Sequence, residues 1–123
     1  NETAIEAVKS QLKQVSAYHQ TLVNRVKSSI ARYGNAALWG VGGDTYQILK
    51  HFPELVDFLE DNTLRLFDLE LAGHTYLGSE IHSSANLNLC SGDIYITPLF
   101  APTREKMLMI CKGWSSCVID PYE

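Results

Sequence analysis

The segment Ala36-Ala37-Leu38-Trp39-Gly40-Val41-Gly42-Gly43-Asp44-Thr45-Tyr46-Gln47-Ile48-Leu49 passes from a short apolar run, through a glycine-rich turn, into helical spacing. A short apolar run bounded by glycine reads as a buried strand, and a strand that turns directly into a helix offers backbone N–H groups at the positive end of the helix dipole. An anion site is therefore expected at this turn. Gly40 and Gly42 have G-x-G spacing, in which the first glycine permits a tight turn and the second a close approach of a ligand to the backbone. Thr45 stands where a third glycine would complete the pattern. Asp44 falls among the first helical N–H groups, where a carboxylate suits the dipole but repels a pyrophosphate that needs the same groups.

Upstream of the turn, Ile5, Val8, Leu12, Val15, Leu22 and Val26 alternate spacings of three and four, with His19 in the remaining seam position. This predicts one long amphipathic helix, ended by Gly34-Asn35. Its face widens with Val23 and Ile30, which favours packing on a sheet or a neighbouring domain over a strict two-stranded seam. No catalytic role is assigned to His19.

Downstream, Thr45 to Phe52 reads as helix, and Pro53 introduces a second helical stretch over Glu54 to Leu59. Strands are expected at Leu64-Arg65-Leu66-Phe67-Asp68, at Asp93-Ile94-Tyr95-Ile96-Thr97 and at Ser116-Cys117-Val118-Ile119-Asp120. Thr103 is the expected N-cap of a helix from Arg104 to Lys112, stopped by Gly113. Strands alternating with helices predict an α/β, Rossmann-like domain over residues 35–123, preceded by the helix of residues 1–34. The expected sheet is mainly parallel, of about four to five strands with helices on both faces. Ligands of such sheets bind at the carboxyl ends of the strands, which selects Gly40 to Thr45, Asp68 to Glu70 and Thr97 to Thr103. Asp68 lies 26 positions after Gly42, near the offset at which an acidic residue meets a ribose hydroxyl, and Glu70 competes with it.

Composition narrows the function classes. A chain of 123 residues is long enough for one domain with a real core, and a net charge of -4 with scattered Lys and Arg argues against a nucleic-acid binder. No apolar run reaches the roughly 18 residues of a membrane span. The three cysteines, Cys90, Cys111 and Cys117, form no C-x-x-C pair, so neither a disulfide framework nor a zinc ribbon is expected. A cytoplasmic protein in a reducing compartment is the expectation. Because the chain begins with Asn1 rather than Met, a piece of a longer polypeptide is expected too. His74 and His82 lack partners at metal-ligand spacing, Ser79, Ser83 and Ser84 lie in no G-x-S-x-G elbow, and Cys90 has no local activating base. Neither catalytic nor metal-binding residues are assigned.

From Ala36 onward, the order of features resembles the Rossmann-like C-terminal domain of sugar C-methyltransferases, also found appended to some glycosyltransferases. The resemblance rests on Leu38-Trp39-Gly40-Val41-Gly42, then Leu66-Phe67-Asp68 followed by Gly73, Gly78 and Ile81, then Asp93 to Thr97, the helix to Gly113 and the strand to Asp120. It departs at Gly43-Asp44-Thr45, where small or basic residues are common in that family, and at Asp68-Leu69-Glu70. The resemblance implies an accessory, non-catalytic domain of a larger transferase that binds a nucleotide or sugar nucleotide while a covalently attached domain does the chemistry. S-adenosylmethionine would be held only by that separate domain. The site residues expected are Gly40, Val41, Gly42, Gly43, Asp44, Thr45, Asp68 and Thr97. Two alternatives stand beside it: a small NAD(P)-binding, oxidoreductase-like protein, resting on Gly40, Gly42 and Asp68, and a ligand-free interaction module that forms a homodimer through the N-terminal helix.

Overall fold

The computed structural model describes residues 2–98, 100–114 and 118–119. Helix α1 (Glu2–Tyr33) leads into strand β1 (Ala36–Trp39), then α2 (Gly43–His51), α3 (Glu54–Glu60) and β2 (Leu64–Asp68). A hairpin of β3 (Thr75–Tyr76) and β4 (Ser79–Ser83) follows, then a 3-10 helix (Ser84–Leu89), β5 (Asp93–Ile96), α4 (Ala101–Ile110) and β6 (Val118–Ile119). The sheet order is β3-β4-β2-β1-β5-β6. Every neighbouring pair is parallel except β3 with β4.

All four residues of β1 are buried, as a central strand covered on both faces requires. Alternate side chains divide the core. Ala36 and Leu38 pack with Leu22, Val23 and Val26 of α1, Ile48 and Leu49 of α2, and Leu55 and Leu59 of α3. Ala37 and Trp39 face the other layer, with Phe67, Leu87, Ile94, Ile96 and Met107. The fold is thus α/β, with a mainly parallel sheet between helical layers and a long N-terminal helix.

The seam of α1 is used unevenly. Leu22, Val23 and Val26 are fully buried, whereas Ile5, Val8 and Leu12 are 53%, 54% and 64% exposed. His19, in its seam position, is buried, and its Nε2 has no hydrogen-bond partner. Burial pushes its pKa down, opposed by the nearby Asp44 carboxylate and assisted by His51.

The hairpin of β3 and β4 and the 3-10 helix occupy a stretch for which no element was expected, and Ile81 is a core residue of β4. Leu77 and Gly78 both have positive φ, 50° and 79°, which is the turn that matches the right-handed twist of a two-residue hairpin. Helix α4 starts at Ala101 with Phe100 as its N-cap, and Thr103 lies inside its first turn. Pro102 fits that turn because no intrahelical partner is needed there for the missing N–H. The last strand, expected over Ser116 to Asp120, is described only at Val118–Ile119, its other residues lying outside the described set.

Candidate functional site

The glycine turn is held by its own polar groups. Gly40 has φ +101°, and its N–H donates to the Phe67 carbonyl at 2.8 Å. A Cβ there would come within 2.8 Å of Pro98 Cδ, so this glycine is required by backbone shape and by the loop after β5. The Thr45 hydroxyl, in a residue 1% exposed, donates to the Gly40 carbonyl at 2.8 Å and accepts from the Gly42 N–H at 3.2 Å. Thr45 therefore staples the turn from inside α2. A Cβ at Gly42 or Gly43 would meet nothing within 4 Å.

Asp68 ties this turn to the next loop. One carboxylate oxygen accepts the Val41 N–H at 2.9 Å, and the other accepts the N–H groups of Glu70 at 2.9 Å and Leu71 at 3.0 Å. The residue expected to meet a ribose is thus a strut between the loops after β1 and β2. Two of the turn's N–H groups, those of Val41 and Gly42, already have partners within the chain.

Around this frame lies a cleft of about 600 Å³ at the carboxyl ends of the strands. It opens where the order reverses, β1 having β2 on one side and β5 on the other. Of the residues expected at the site, Gly40, Val41, Gly42, Asp44, Thr45 and Asp68 line it. Gly43 and Thr97 do not: Thr97 is fully buried, its N–H donating to the Trp39 carbonyl at 3.0 Å. Sequence reading missed the opposite wall, where Lys106, Met107 and Ile110 of α4 face the cleft with Trp114. Their spacing of three and four on one helix was the available clue. Trp114 stacks on Trp39 at a centroid distance of 5.6 Å and an interplanar angle of 23°.

The cleft is largely apolar, with carboxylates of Asp44, Asp68 and Glu70 on the side of β1 and β2 and the ammonium of Lys106 on α4. Such a surface suits a ring against the tryptophans and a few directed polar contacts. Burial pushes the Cys90 thiol up, and Cys90 lies in a smaller hollow with Arg65, Phe67, His82 and Asn86. Among the described residues no group of three or more His, Cys, Asp or Glu is placed to hold a metal, and no helix is long and apolar enough to cross a membrane. Comparison with known protein families, curated proteins and solved structures finds no match to this chain.

Proposed function

We propose that the chain is an accessory Rossmann-like domain that binds a nucleotide or sugar nucleotide and presents it to a catalytic domain of a larger transferase. The observation that carries this reading is the cleft itself: it lies outside the carboxyl ends of parallel strands, at the reversal of strand order, with a G-x-G turn in its wall. The order β4-β2-β1-β5-β6 supports the Rossmann-like assignment, and stacked Trp39 and Trp114 supply an apolar surface of the kind a base or sugar ring covers. Against the oxidoreductase alternative, Asp68 spends its carboxylate on three backbone N–H groups. Isothermal titration with free nucleotides and nucleotide sugars tests the reading. Binding of at least one class below millimolar concentration is expected, and no heat from any of them would refute it.

A second reading concerns α1. Its exposed Ile5, Val8 and Leu12 continue the stripe that is buried farther along the helix, which supports self-association through this half. Light scattering of the wild type and of Leu12→Asp decides it. A dimer abolished by the substitution is expected, and a wild-type monomer at all concentrations removes the idea. Leu22→Asp is no test of the same kind, because Leu22 is fully buried in the domain core.

A further inference from the structure

We infer that the small hollow between β2, β4 and the 3-10 helix is a binding site for a tetrahedral oxyanion of the phosphate class, held by Arg65, His82 and Asn86. The hollow measures about 190 Å³ and is lined by these three residues with Phe67 and Cys90. It shares no lining residue with the cleft: Ser84 and Ala85 at the start of the 3-10 helix line the cleft, whereas Asn86 and Cys90 line the hollow. The inference therefore stands apart from the nucleotide reading. The sequence marks the place. Strand β2 has β1 on one side and β4 on the other, and a parallel strand in that position is ordinarily apolar on both faces. Leu64, Leu66 and Phe67 are buried as that rule requires, and Arg65 is exposed between them.

Arg65 and Phe67, two residues apart, share a face of the sheet, and Phe67 is in register with His82 of β4. The His82 ring lies tilted against the buried Phe67 at a centroid distance of 5.4 Å, and the fully buried Leu87 anchors the 3-10 helix that carries Asn86. Donor side chains from three elements thus line one small space. Among the described residues, no Asp or Glu lines the hollow, and Arg65, His82 and Asn86 have neither an ion pair nor a side-chain hydrogen bond. Burial raises the pKa of the Cys90 thiol and the Arg65 charge offsets part of that rise, so the field of the guanidinium reaches across the hollow. Asp93 acts on the thiol in the opposite sense but lies outside the lining, its carboxylate accepting the Tyr95 hydroxyl at 2.8 Å. A guanidinium fork, an imidazole N–H and a side-chain amide offer donors from separate elements, which suits a tetrahedral anion better than the two coplanar oxygens of a carboxylate. The hollow is smaller than the pockets that enclose whole ligands, so an oxyanion group fills it.

The test titrates the whole chain with inorganic phosphate at constant ionic strength and follows amide chemical shifts, with glycerol 3-phosphate and acetate as further probes. Saturable shifts are expected at Arg65, at His82 and over residues 84–86, with a Kd of about 1–10 mM for a few charged but solvated hydrogen bonds. Arg65→Gln should weaken phosphate about tenfold and Asn86→Ala about threefold, the larger effect belonging to the charged donor. Acetate should bind roughly fivefold or more weakly than phosphate. Tighter binding of glycerol 3-phosphate than of phosphate would assign the site to a phosphate ester, and the reverse order to the free ion. Phosphate affinity unchanged by both substitutions, shifts confined to the cleft, or no saturable shift at all would each overturn the site. Acetate binding as tightly as phosphate would overturn the assignment to a tetrahedral anion.

Discussion

The two ends of the sheet share several kinds of residue, Gly, Asp, Ser and Thr, and use them differently. At the amino end the Gly92 N–H donates to Asn35 Oδ1 at 2.7 Å, and Ser29 Oγ donates to the Asn35 carbonyl at 2.8 Å while accepting the Asp93 N–H at 2.9 Å. Before β2, the Thr63 N–H donates to Asp61 Oδ1 at 3.0 Å. The polar groups there bond one another around the starts of β1, β2 and β5. At the carboxyl end only the inner half of the turn is closed in this way, through Thr45 and Asp68. Gly42, Asp44, Glu70 and Lys106 are among the residues that line the cleft. A polar loop residue thus becomes available to a ligand only when the backbone around it has already found other partners.

The contrast is most exposed to refutation at Gly92. Its missing Cβ would fall onto the Asn35 carbonyl, so Gly92→Ala should destabilise by about 3 kcal/mol or more, read as the urea midpoint. A change below about 1 kcal/mol would mean that the amino end is not closed as described. Within the carboxyl end, Gly40→Ala should cost about 2–3 kcal/mol, since it combines positive φ with the Pro98 contact. Gly42→Ala, which meets open space, should cost no more than about 0.5 kcal/mol while weakening nucleotide-sugar binding. Equal effects at the two glycines would erase the distinction between a scaffold glycine and a cleft glycine.

A smaller effect is expected from His19, whose folded-state pKa lies below its unfolded value. The unfolded chain then binds the proton more readily, so stability is complete above the ordinary histidine pKa near 6.5 and declines as pH falls below it. His19→Leu should flatten that decline between about pH 7 and pH 5. An unchanged pH profile would place the titration elsewhere.

Much of the architecture was legible because period and punctuation agree. The short apolar run of β1, the glycine turn and the spacing of α2 identify a strand, a turn and a helix without tertiary information. The helix α1 was legible as a helix, but the stripe has the same spacing where it is exposed at Ile5, Val8 and Leu12 as where it is buried, so its pattern does not reveal where the partner ends. The hairpin was hidden because Leu77, a poor residue for positive φ, occupies a turn position that Asn or Gly would have announced. At the site, the loops after β1 and β2 were found from the strand-end rule. Lys106 was not: its spacing with Met107 and Ile110 puts them on one helix face, but nothing local says that this face lines a cleft and not open solvent. For Asp68 the spacing gives its position, and only the hydrogen bonds show that it joins the loops after β1 and β2.

The stacked pair at the cleft has an optical consequence. The chain has two tryptophans, Trp39 and Trp114, and both line the cleft. Its indole emission and the indole bands of its near-ultraviolet circular dichroism are therefore local to that cleft, with no third indole elsewhere to dilute them. Any molecule that enters against the pair reports itself without a label, and Trp114→Phe would separate the emission of the buried ring from that of its partner at the rim.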